Sequence, residues 1–176
     1  MEDRKRLKTQ VLVIGYSADH CTKKAYSLAY EVGREVARGG SILITGGLGG
    51  VMEAASKGAQ EAGGFVVGII PQEEKSDANA YSDVVIPTGL GYARDFVTAY
   101  AADGVIIVGG GVGTTIEACV AYSKSKPVVA IKGSGGAADR LADTYLDERK
   151  LVRIIGIDSP KEAVEYLEKN KFIKTS

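Results

Sequence analysis

Residues 105–118 read VIIVGGGVGTTIEA. Four apolar residues run into Gly109, Gly110, Gly111 and Gly113, then Thr114, Thr115 and Glu117. A tight turn needs fewer glycines. Bare backbone amides aimed at a phosphate need about this many, because glycine lets the chain approach an anion closely and adopt positive φ. The loop stands between an apolar run and an amphipathic stretch, so its amides would meet the positive end of a helix dipole. Thr114 can add a hydroxyl donor to the same oxygens. Phosphate binding is the chemistry this pattern points to. Two plainer readings stay open: a simple strand–helix turn, and a capping box in which Thr114 and Glu117 satisfy the helix's own orphan amides.

A second cluster, TGGLGGVMEAASKGAQEAGG at 45–64, carries Gly46, Gly47, Gly49 and Gly50 at another strand–helix junction. Ala54, Ala55, Gly58, Ala59 and Ala62 would let its helix lie close to a sheet. Two such loops could grip two ends of one nucleotide, although small residues there also simply permit packing. Neither loop continues into the Gly-Lys-Ser/Thr of a Walker motif. The first apolar run is followed by GYSADHC and not by Gly-x-Gly-x-x-Gly, which disfavours a dinucleotide-dependent dehydrogenase.

Those loops need strands and helices to hold them. Apolar runs at 10–15, 41–47, 65–71, 82–88, 104–110, 126–132 and 151–157 read as strands. Amphipathic stretches at 23–39, 50–62, 91–103, 113–124 and 160–169 read as helices, the last opened by Ser159 and Pro160. Seven near-continuous apolar strands alternating with helices describe an α/β, Rossmann-like doubly wound parallel sheet with helices on both faces. Ligands of such sheets bind beyond the carboxyl ends of the strands, where the winding reverses. Both glycine clusters fall at such ends.

With 176 residues, 45% hydrophobic and 25% charged, the chain reads as a single domain, 1–176, able to bury its own core. Lys plus Arg and Asp plus Glu both total 22, so no global field favours nucleic acid or membrane. Arg4, Lys5, Arg6 and Lys8 read as a solvated terminus. The sequence offers neither an 18-residue apolar stretch nor a signal-peptide core, which points to the cytoplasm. Cys21 and Cys119 match no metal or redox spacing and are expected as reduced thiols. His20 is the lone histidine, which disfavours a zinc site or a histidine triad, and no metal or cofactor is expected.

GG-x-GG-x-M at 46–52, VVGIIP at 66–71, Arg94 in GYARD and GGG-x-GT-x-x-E at 109–117 stand in the order found in LOG-type proteins, which the chain resembles over about residues 10–132. Those are cytokinin-activating phosphoribohydrolases, long labelled possible lysine decarboxylases. The chain looks most like a short prokaryotic branch that also resembles molybdenum cofactor carrier proteins. The resemblance implies a 5′-phosphate held among Gly110, Gly111, Gly113 and Thr114, with Glu117 and Arg94 assisting hydrolysis of the bond between base and ribose. It also implies a homodimer.

The residues fit that implication in part. Cleaving an N-glycosidic bond builds positive charge on the sugar, which a carboxylate stabilises, or the carboxylate activates water. Thr114 and Glu117 share a helix face. Arg94 begins another helix after the strand DVVIP and can reach the same crevice, although an arginine so placed is also an ordinary surface residue. Gly109 stands where the family has proline, Ile116 where it has a first glutamate, and Asp95 where it has lysine. These departures put the cytokinin substrate in question. The decarboxylase label finds no Schiff-base lysine in either loop, and Lys57 reads as a solvated helix residue.

Two functions follow: an enzyme releasing free base and ribose 5-phosphate from a nucleoside 5′-monophosphate, or a non-catalytic carrier of a nucleotide or a phosphate-bearing pterin such as molybdenum cofactor. A DNA-processing role lacks a basic stripe. Tyr92, Phe96, Val97 and Tyr100 form an apolar stripe read as core rather than interface. Residues 72–82, the longest polar connection, are a candidate lid.

Overall fold

The computed structural model describes residues 7–170, so Arg4, Lys5 and Arg6 of the basic cluster lie outside the described residues. Seven strands are present: β1 (Gln10–Gly15), β2 (Ile42–Thr45), β3 (Phe65–Ile70), β4 (Val84–Pro87), β5 (Gly104–Val108), β6 (Val128–Ile131) and β7 (Ile155–Ile157). The helices are α1 (Lys23–Arg38), α2 (Val51–Glu61), α3 (Arg94–Ala101), α4 (Val112–Ser123), α5 (Gly136–Leu141) and α6 (Pro160–Asn170). All strand pairs are parallel, in the order β4-β3-β2-β1-β5-β6-β7. The winding therefore reverses between β1 and β5, whose residues 11–15 lie beside residues 104–108.

Alternate residues of each strand serve opposite faces of the sheet. Val11 and Val13 of β1 join Ala25, Ala29 and Val32 of α1 and Ala54 and Ala55 of α2 in one core cluster. Leu12 and Ile14 join Ala99 of α3 and Ala118 and Ala121 of α4 in the other. At roughly 25 cal/mol per Å² of apolar surface buried, these two layers supply most of the drive to fold. This is the Rossmann-like doubly wound sheet expected from the alternating apolar runs.

Two expectations change. The stripe Tyr92, Phe96, Val97 and Tyr100 is not core: the four are 91%, 51%, 37% and 54% exposed. α3 instead buries its other face, Arg94, Asp95, Thr98 and Ala99. The helix also ends earlier than its amphipathic pattern, because Ala102 turns extended and Lys126 Nζ donates to the carbonyls of Ala99 and Tyr100 at 2.8 Å each. Residues 72–82, the candidate lid, are not among the residues lining the central crevice. Asn79 ties them to the second glycine loop, its amide N to Gly47 O at 2.8 Å and its Nδ2 to Leu48 O at 3.0 Å. No helix among the described residues is long and apolar enough to cross a membrane.

Candidate functional site

Where β1 and β5 part, a cavity of about 650 Å³ opens over their carboxyl ends. Its walls come from the β1–α1 loop, the second glycine loop, the start of α3 and the start of α4. Such a site is expected at the switch point of a doubly wound sheet.

The α4 side is built by backbone. Gly109 and Gly110 have φ of +62° and +99°, which glycine alone adopts without strain, and the chain reverses there. α4 then starts at Val112 with Gly111 as its cap, and Gly111, Val112, Gly113 and Thr114 line the cavity. The amides of this first turn have no acceptor inside the helix and point outward at its positive end. Gly110 lies behind the lining. Its carbonyl accepts from Ala137 N at 2.8 Å, and that of Gly109 accepts from Ala138 N at 3.0 Å. The Gly109 amide donates to Ser134 Oγ at 2.9 Å. The loop's own polar groups are thus held from behind by α5, and the α4 amides are left facing the cavity.

The capping-box reading fails on this geometry. Because the turn is completed at Gly109 and Gly110, the helix begins before Thr114. Thr114 Oγ1 donates to Gly15 O across the gap to β1 at 3.1 Å, and Glu117 pairs with Thr98 of α3, not with an α4 amide.

Of the second cluster, Gly46 lines the cavity together with Leu48 and Met52. Gly47, Gly49 and Gly50 lie behind it, against Ile70, Ala18 and the backbone of Tyr16 and Ser17 respectively. Gly46 lies under the ends of two flexible side chains, and a side chain there would displace Arg94 Nη1 and Met52 Sδ.

Arg94 and Glu117 do meet in the cavity, with Asp95 beside them. All three are buried, at 8%, 7% and 6% exposure. Arg94 Nε has no hydrogen-bond partner and stands 3.7 Å from Asp95 Oδ1, too far to be satisfied by it. The guanidinium as a whole lines the cavity, and a buried cation of this planar kind suits an anionic or carbonyl acceptor. Burial pushes the Glu117 carboxyl up to about 8; Thr98's hydrogen bond lowers it, the Asp95 charge raises it and Arg94 lowers it. Burial also raises Asp95, against the pull of Arg94. Perturbed carboxyls in a cleft are a mark of functional sites.

Several site residues escaped sequence reasoning. Tyr16, Ser17 and His20 line the cavity from the β1–α1 loop. The third glycine cluster, GSGG at 133–136 after the run VVAI, positions the first, and its composition was a visible signal. Thr98 carried no signal at all. Among the described residues no group of three or more His, Cys, Asp and Glu could hold a metal ion.

Comparison with known proteins adds the following. A family model described as the SLOG cluster4 family matches residues 8–164. An uncharacterised protein of Archaeoglobus fulgidus is 44% identical over 123 residues, 70% of this chain and 80% of that protein. A cytokinin riboside 5′-monophosphate phosphoribohydrolase of Mycobacterium tuberculosis is 30% identical over 155 residues, 78% of this chain and 82% of the enzyme. The solved molybdenum cofactor binding protein of the phototrophic bacterium Rippkaea orientalis superposes with a TM-score of 0.82 at 30% identity, covering 93% of this chain and 98% of that one.

Proposed function

The chain belongs to the SLOG cluster4 family, and from that premise we propose that its crevice binds a nucleoside 5′-monophosphate and hydrolyses it to free base and ribose 5-phosphate. The observation that carries the reading is that two buried ionisable side chains, Arg94 and Glu117, line the same cavity as the first turn of α4. The amides of Gly111, Gly113 and Thr114 hold the phosphate, with Gly110 shaping the turn. The ribose then lies along α4 toward Glu117, one turn further on. Leu48, Met52, Pro71 and Tyr92 offer an apolar wall to the base.

In the reaction, the bond from C1′ to the base nitrogen breaks, its electron pair leaves with the base, and the proton given up by the attacking water ends on the base. The ionised Glu117 stabilises the positive ribosyl centre or takes a proton from the attacking water, whose oxygen bonds C1′. Arg94 neutralises the phosphate or a ring oxygen. The test is incubation of the purified protein with AMP, following adenine and ribose 5-phosphate by chromatography. Both products appear if the reading holds; neither appears if the site only binds.

A second reading has its own support. Asp95 beside Arg94 offsets the positive charge, and a Glu117 held neutral at pH 7 is a hydrogen-bond donor and not a base. A non-catalytic carrier of a nucleotide or phosphate-bearing pterin needs no more, and the likeness to the Rippkaea orientalis protein fits it. AMP or a pterin retained without turnover selects this reading.

We also propose a homodimer in the cytoplasm. Its support is the exposed apolar face of Tyr92, Phe96, Val97, Tyr100, Val112 and Ile116, which α3 and α4 share at the cavity mouth. The two free cysteines fit a reducing compartment.

A further inference from the structure

Thr98 is fully buried on α3 between two oxygens. Its Oγ1 stands 2.9 Å from the backbone oxygen of Asp95 and 2.7 Å from Glu117 Oε1. A hydroxyl carries one proton and donates once, and the Asp95 carbonyl can only accept. If Thr98 gave its proton to Glu117, its oxygen would face the Asp95 carbonyl oxygen at 2.9 Å with no hydrogen between them. If it gives its proton to the carbonyl, the short contact to Glu117 needs a proton from the carboxyl.

We infer that Thr98 holds the proton of Glu117: in the resting site Glu117 is a neutral acid donating to Thr98 Oγ1, while Thr98 donates to the Asp95 carbonyl. The electrostatics agree. The charged groups facing Glu117 are Asp95 and Arg94 on α3, and the other ionisable side chains lining the cavity are Tyr16 and His20 from the β1–α1 loop and Tyr92 from the turn before α3. Burial and Asp95 favour the acid, and Arg94 opposes them. When the carboxyl releases its proton to water in the cavity, only that O–H bond breaks. The Thr98 O–H then turns from the Asp95 carbonyl to the carboxylate, so the ion keeps a donor. Thr98 is thus a positioning residue that sets when the carboxylate becomes available. The inference rests on the proposed hydrolysis only for its consequence for turnover.

Infrared difference spectra of the full chain, wild type against Glu117→Gln, test it without substrate. At pH 7 the wild type shows the carbonyl stretch of a buried carboxylic acid, replaced by carboxylate bands as pH passes about 8. Thr98→Val removes the ion's donor, so its midpoint moves up by about one pH unit, and Thr98→Ser restores the wild-type midpoint. Thr98→Cys, a weaker donor of similar size, moves it part of the way and serves if Thr98→Val does not fold. A Glu117 carboxylate at pH 7 in the wild type, or a midpoint unmoved in both Thr98→Val and Thr98→Cys, overturns the inference. Failure of AMP turnover alone sinks the hydrolase reading and leaves these titrations standing.

Discussion

Arg94 and Glu117 reach one cavity from two helices; Glu117 is buried against Thr98, and Arg94 is buried beside Asp95 with its Nε unsatisfied. Glu117→Ala is expected to lower AMP hydrolysis to background while ligand affinity, measured by calorimetry, stays within a few fold. This follows because, in the proposed hydrolysis, the carboxylate would act on the charge that develops at the sugar and not on the phosphate. The same carboxyl leaves a mark on stability. Its value rises from 4.5 in the ordinary state to about 8 in the folded one, so the unfolded chain releases the proton first. The stability it contributes is complete below about pH 4.5 and falls by about 1.4 kcal/mol per pH unit up to about pH 8, then levels. Glu117→Gln removes that slope, so its melting temperature gains on the wild type between pH 5 and 8 in thermal scans. At this scale the residue types were legible from the chain: a lone acid after a glycine loop, and an arginine after an apolar run. Thr98 was not, because a threonine within an amphipathic stretch has nothing in its neighbours to mark it. Its role arises from α4 lying against α3.

Elements explain why the glycine loop faces the cavity. α5 is only six residues long, yet its amides of Ala137 and Ala138 bind the carbonyls of Gly110 and Gly109, and Ser134 accepts from the Gly109 amide. Ser134→Ala leaves that amide buried without an acceptor, at a cost of about 1–3 kcal/mol in chemical denaturation, and loosens phosphate binding. Gly111→Val separates binding from folding. An added side chain there meets no atom within 4 Å, so the variant folds with near wild-type stability while a branched side chain blocks the amides of α4. Retained nucleotide affinity in this variant sinks the phosphate assignment. The strands and the longer helices around the site could be read from periodicity. α5 could not, since a helix of six residues opened by two glycines has too short a period to register. The start of α4 was legible to within one residue, while the alternative of a capping box fails: Thr-x-x-Glu fits one locally, but the turn made by two positive-φ glycines starts the helix earlier.

The whole molecule decides what the outer face of α3 is for. Amphipathicity says that Phe96, Val97 and Tyr100 lie together; it does not say which side of the helix meets the sheet. α3 turns its polar residues inward to the cavity and leaves its apolar ones in water, contiguous with Val112 and Ile116 of α4. The proposed homodimer would cover this face with a second copy of the chain. Phe96→Glu, at a position already half exposed, is expected to leave the melting temperature within a few degrees and to convert the proposed dimer to a monomer in light scattering; a wild type that is already monomeric sinks the dimer proposal. The sequence by itself determined the strands, the parallel doubly wound sheet and the position of the glycine loops at its carboxyl edge, because hydrophobic period and glycine placement act over a few residues. Only the tertiary structure decided that Arg94, Asp95, Thr98 and Glu117 share one buried cluster. Packing brings together side chains up to 23 positions apart, and the low-polarity interior then sets which of them keeps its proton.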